Sequence, residues 1–114
     1  VTVVRGRLFS GSEAPASGER TEEIARLGDV LVEQILSGEL PEPVDYDQSH
    51  DEWVLVLAGH AVVIVDDKRL ELDGGDWVFL PAHVRHRLVQ TQPGTSWLAL
   101  HDAGAVRQRG AHPT

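Results

Sequence analysis

The chain has 114 residues, 41% hydrophobic and 25% charged. That is the size and balance of one globular domain, and not of a disordered, collagen-like or coiled-coil chain. Cysteine is absent, which excludes disulfide scaffolds, thiolate metal sites and cysteine nucleophiles. The net charge is −8. Acids dominate residues 13–52 and the arginines are scattered, so no basic stripe exists for a phosphate backbone, and nucleic acid is not an expected partner. No apolar run approaches the ~20 residues of a membrane span, and the first ten residues lack the apolar stretch of a signal peptide. The expectation is a cytoplasmic protein with no membrane partner.

In chain order, Val1, Val3 and Val4 predict a short strand over residues 1–9. A polar Gly/Ser/Pro loop follows over 10–19. Residues 20–27 predict a short helical turn, with Thr21 as N-cap and Glu22 and Glu23 near its positive end. Residues 29–37, DVLVEQILS, predict a strand. Pro41 and Pro43 then punctuate a loop. From residue 46 the pattern becomes short apolar runs at 52–59, 60–66, 69–72, 76–81, 86–91 and 96–101. Turn signals separate them: Gly59, Asp66-Asp67-Lys68, Gly74-Gly75, Pro81-Ala82 and Pro93-Gly94. Evenly spaced short strands predict an all-β barrel or jelly roll. Three segments result: 1–28 as strand, loop and short helix, 29–101 as the barrel, and 102–114 as a flexible tail. Runs such as VLVL are apolar on both parities, so some strands need cover on both faces. A homodimer would supply it, with Arg85 and Arg87 turned toward acids of the partner.

Side chains two apart on a strand share a face. Tyr46, Gln48, His50 and Glu52 share one parity, which Val54 and Val56 continue. A polar cluster running into an apolar lining suits the mouth of a small cavity. On the other half of the chain, His83 and His86 follow Pro81 at a turn. With sulfur absent, any transition-metal site must use imidazole, carboxylate or amide oxygen. Against these readings stand plain ones: Glu52 as a surface acid, His50 and His83 as solvated loop histidines, and His60 on a hairpin surface. His101 reads as a structural histidine able to reach the cavity from behind. Trp53, Trp77, Trp97 and Phe79 read as core or dimer packing.

These residues resemble the motifs of the cupin superfamily. Glu52 and Gly59 match the Glu and closing Gly of the first motif, whose two histidine positions fall on Tyr46 and Gln48. Gly75, Pro81 and His86 match the second motif, with His83 in place of its Gly and Gln90 in place of its Asn. YDQSHDEWVLVLAG, PAHVRHRLV and WLALH together resemble a small single-domain, RmlC-like bacterial subgroup. The resemblance implies a cupin-type barrel of short antiparallel strands. It also implies a divalent metal (Fe, Mn, Ni or Zn) held by Glu52 and His86 with Gln48. His50 would join if a bulge turned it inward, giving a two-histidine, one-carboxylate set.

Two kinds of function follow. One is a metal-dependent enzyme on a small organic molecule, with dioxygenase, isomerase or decarboxylase chemistry. The other is metal-free: a small-molecule sensor, or an acid–base enzyme using His86 and Tyr46, as sugar-epimerase cupins use His and Tyr.

Overall fold

The computed structural model describes residues 1–102. All but the first residue of the expected tail lies outside the described residues. Nine strands follow a 3-10 turn at Gly11–Glu13. They are β1 (Glu19–Leu27), β2 (Val30–Ser37), β3 (Val44–Tyr46), β4 (Glu52–Ala58), β5 (His60–Val65), β6 (Lys68–Asp73), β7 (Trp77–Leu80), β8 (His86–Thr91) and β9 (Thr95–Asp102). They form two antiparallel sheets, ordered β1-β2-β9-β4-β7 and β3-β8-β5-β6. The molecule is an all-β jelly roll, as the alternation of apolar runs and turn signals predicts.

The core lies between the sheets. Val56 and Trp97 from the five-stranded sheet meet Ala61, Val63, Leu72 and Leu88 from the other side. Period-2 geometry places Val54, Val56, Trp97 and His101 on one face of their sheet. Trp53, Leu55, Leu98 and Leu100 fall on the opposite face. The turns are local in origin. Asp66 and Asp67 both take positive φ (51° and 62°), the two-residue hairpin geometry that favours Asp, Asn and Gly. Gly59 sits at φ +101°, and a Cβ there would stand 2.4 Å from Thr95 Oγ1. Buried Thr95 ties that turn down, accepting from His60 N at 3.2 Å and donating to Gln92 O at 2.6 Å.

Two expectations fail at the start of the chain. Residues 20–27 are not helical; they belong to β1, which pairs with β2 from Glu19↔Ser37 to Leu27↔Val30. A helix of two turns is too short to hold itself together. Gly28-Asp29 instead closes a two-residue hairpin, with Gly28 at φ +59°, and the ladder satisfies the backbone. Residues 1–9 form no strand. The end of this arm is tied down: Phe9 N donates to Gln34 Oε1 at 2.8 Å, and Gln34 Nε2 donates to Phe9 O at 2.9 Å. Arg85 and Arg87 both have acids nearby within the chain. Arg87 pairs within the chain, donating to both Asp45 oxygens at 2.6 and 3.1 Å, and Arg85 lies 3.5 Å from Asp47.

Candidate functional site

A cavity of about 210 Å³ opens between the sheets. Its deep wall is apolar, built from Ile35, Val54, Val63, Leu72, Leu88 and Trp97. Its other end is polar, carrying Glu19, Glu33, Tyr46, Gln48, Glu52, His86 and His101. Among the described residues that line it, none is Lys or Arg.

Strand register assembles the polar end. Tyr46 and His86 are directly opposed on β3 and β8, and their rings stack at 5.1 Å with only 10° between planes. His86 Nδ1 lies 3.3 Å from Val84 O. Donation of the Nδ1 proton there leaves Nε2 as the basic nitrogen. Burial lowers the His86 pKa, against smaller upward effects of the Val84 carbonyl and Asp47, so the ring is held neutral. The Tyr46 hydroxyl donates to Glu19 Oε1 at 3.2 Å. Burial first, then the Glu19 charge, pushes the phenol up, so it stays a proton donor.

Across the cavity, Glu52 and His101 are directly opposed on β4 and β9. Glu52 is buried, and burial raises its carboxyl pKa; the His101 charge and a hydrogen bond from Gln48 work the other way. His101 Nε2 lies 2.7 Å from Glu33 Oε1 and 3.6 Å from Glu52 Oε2. Its Nδ1 lies 2.8 Å from His50 Nε2. Burial lowers the His50 pKa, with the His101 charge adding to it. His50, His101 and Glu33 thus form a hydrogen-bonded chain with its carboxylate end in the cavity.

Of the residues singled out from sequence, Tyr46, Gln48, Glu52 and His86 meet in the cavity. His50 does not line it; its ring stands behind His101. The shared-face argument breaks there because residues 47–51 are not a strand. That loop is pinned from outside, where His83 N donates to Gln48 O at 2.7 Å and Ala82 N donates to Asp51 Oδ1 at 2.9 Å. His83 itself is exposed and takes φ +66°, the conformation its glycine counterpart would adopt freely. Glu19 and Glu33 escaped sequence reasoning, and His101 was ranked below its place on the cavity wall. Glu33 left one trace, an acid inside the otherwise apolar run VLVEQILS.

The donors present do not fit a divalent transition ion. The four motif positions supply one imidazole, one carboxylate, one amide and one phenol. Tyr46 keeps its proton and bonds Glu19. Among the described residues no three His, Asp or Glu side chains are placed to share an ion. The groups in the cavity are instead proton donors and acceptors.

Two sheets closed around a half-polar cavity, with Glu52, Gly59, Gly75, Pro81 and His86 at motif spacing, define a small ligand-cavity jelly roll. The chain belongs to the cupin family: the cupin domain model matches residues 31–99. Among solved structures it is similar to a protein of Ralstonia eutropha JMP134 whose proposed activity is mannose-6-phosphate isomerase. That pair is 31% identical with a TM-score of 0.73, covering 88% of this chain and 98% of the other. A cupin superfamily protein of Desulfitobacterium hafniense DCB-2 is 22% identical, TM-score 0.66, covering 87% and 93%. KdgF from Halomonas sp. is 18% identical, TM-score 0.62, covering 75% and 81%. No curated protein matches the chain significantly. No helix among the described residues is long and apolar enough to cross a membrane.

Proposed function

We propose that the cavity binds a small, uncharged hydroxycarbonyl compound and catalyses proton transfer on it, an isomerase-type reaction run by side chains without a metal. The observation that carries this reading is the make-up of the polar end: a neutral imidazole, a carboxyl raised by burial and a protonated phenol, with no Lys or Arg among the described residues that line it. A carboxyl raised by burial beside a neutral imidazole in a cleft pairs a proton donor with a proton acceptor, which suits acid–base exchange.

In this scheme His86 Nε2 takes the proton from the carbon beside the carbonyl. Glu52 in its protonated form gives its proton to the carbonyl oxygen; the enediol then collapses as its other hydroxyl returns a proton to the Glu52 carboxylate and the His86 imidazolium delivers one to the former carbonyl carbon, restoring both groups. The apolar wall holds the carbon frame and keeps water away. The relative from Ralstonia eutropha supports isomerase chemistry, but a phosphate would find no Lys or Arg among the described residues lining this cavity to neutralise it. Glu19, Glu33 and Glu52 would repel it.

The test is exchange of the proton beside the carbonyl in D2O, followed by NMR, for paired sugars with and without phosphate. Exchange on the unphosphorylated member, lost in His86→Ala, is expected. Exchange confined to the phosphorylated member overturns the substrate class. Exchange that persists unchanged in His86→Ala overturns the mechanism.

A further inference from the structure

Three titratable side chains beside the cavity take no part in the transfer run by His86 and Glu52. His50, His101 and Glu33 stand in line, with His50 Nε2 2.8 Å from His101 Nδ1 and His101 Nε2 2.7 Å from Glu33 Oε1. Two bare ring nitrogens at that separation would repel, so one proton lies between them. With Glu33 as a carboxylate, His101 donates from Nε2 and accepts at Nδ1. His50 then donates from Nε2, and its Nδ1 is the unprotonated end of the line. Each tautomer is set by the bond its neighbour makes.

The line is held at both ends. His101 sits on β9 between its register partners, Glu52 of β4 and Leu31 of β2. The loop that carries His50 is fixed by three bonds: His83 N donates to Gln48 O at 2.7 Å, Ala82 N to Asp51 Oδ1 at 2.9 Å and Asp102 N to Asp51 O at 3.1 Å. The inner end is shielded, with the His101 side chain 13% exposed and that of Glu52 8%. Glu52 Oε2 stands 3.6 Å from His101 Nε2, beside that inner end. The outer end is His50, half-buried and outside the cavity lining.

We propose that His50, His101 and Glu33 form a proton relay that connects Glu52 with solvent while substrate fills the cavity, an inference that rests on the proton-transfer reading of the site. A proton from water bonds to His50 Nδ1. The His50 Nε2–H bond breaks as its proton moves to His101 Nδ1, and the His101 Nε2–H bond breaks as its proton moves to Glu33 Oε1. One proton enters, one arrives, and no heavy atom has to move. A small rotation that closes the 3.6 Å gap delivers the last proton to Glu52 instead. A complex formed with Glu52 ionised thereby becomes competent without releasing its substrate.

His50→Gln tests this, because an amide N–H keeps the bond to His101 Nδ1 but cannot take up a proton at one atom and release it from another. In protein labelled with 15N-histidine, the parent should show a 15N–15N coupling across the His50–His101 hydrogen bond. Exchange of the His101 Nε2 proton with water should be slower in His50→Gln by roughly 10-fold or more, as loss of a positioned proton carrier implies. A purely structural role predicts the opposite sign, since a loosened wall exchanges faster. In the sugar assay His50→Gln should lower kcat by a similar factor with KM little changed, and imidazole added to His50→Ala should restore part of the lost rate. Circular dichroism should show both variants folded. No coupling in the parent, or exchange in His50→Gln as fast as in the parent, overturns the relay. Slower exchange with kcat unchanged overturns its part in turnover. Slower exchange in a protein that turns over no sugar supports the proton path and overturns the isomerase reading instead.

Discussion

The two faces of the five-stranded sheet are both apolar, yet they solve different problems. On the inner face, Val56 and Trp97 are buried among Val63, Leu72 and Leu88. Where that face meets polar groups, strand register supplies their partners: Glu52 faces His101, and His101 reaches Glu33 diagonally. Among the described residues no buried side-chain polar atom lacks a partner. The outer face carries aromatics of similar size with no such enclosure. Equal hydrophobicity therefore has unequal meaning. The inner face is finished by this chain around a cavity; on the outer face Trp77 and Phe79 stay exposed among the described residues.

The sharpest way to break that contrast is to truncate one aromatic on each side. Trp97→Ala should cost about 3–5 kcal/mol, as large core truncations do. Chemical denaturation would show this as a lower midpoint. Trp77→Ala should change stability by less than about 0.5 kcal/mol, a surface-scale effect. Equal losses in the two variants would mean that the outer face is already enclosed.

A second prediction concerns the turn joining β4 to β5. Gly59→Ala must place a methyl against Thr95 at a positive φ. It should cost about 1–3 kcal/mol, measured by thermal melting, and disturb both sheets because Thr95 starts β9.

Glu52 sharpens the inner side. Its folded pKa is raised by burial, so the native state holds its proton more tightly than the unfolded chain does. The resulting stability is fully present below the unfolded carboxyl pKa and is lost as pH rises through the raised folded value. Glu52→Gln keeps the shape without the charge. It should flatten that part of the stability–pH curve and raise stability at neutral pH. His86 works in the opposite sense. Its lowered pKa contributes stability present above the ordinary imidazole value and lost as pH falls toward the folded one. A melting series from pH 4 to pH 8 on both variants separates the two.

The smallest effect is expected at His83, outside both faces. His83→Gly should stay within about 1 kcal/mol of the parent, relieving the positive φ but loosening the unfolded chain. His83→Val should be the less stable of the pair, because a β-branched residue resists that conformation.

Most of the fold was legible because its signals are local. The six apolar runs between residues 52 and 101 carry their own turn chemistry, and each became β4 through β9. β1 was illegible: an edge strand of charged residues shows no alternation, and only its pairing with β2 defines it. The site divides the same way. Tyr46, Gln48, Glu52 and His86 stand at spacings tied to one motif or the other. His101 and Glu33 are 68 residues apart, and only the β2–β9 register brings them together. His50 was misplaced because a period-2 argument was carried through a loop that tertiary hydrogen bonds had bent.

On the proposed reading the cavity works through protons and not through a bound ion. The most direct measurement is elemental analysis of protein purified without chelator and then equilibrated with Fe, Mn, Ni and Zn in turn. Far less than one ion per chain is expected under every condition, with no difference between the parent and His86→Ala. One tightly held ion per chain, lost in His86→Ala, would contradict it.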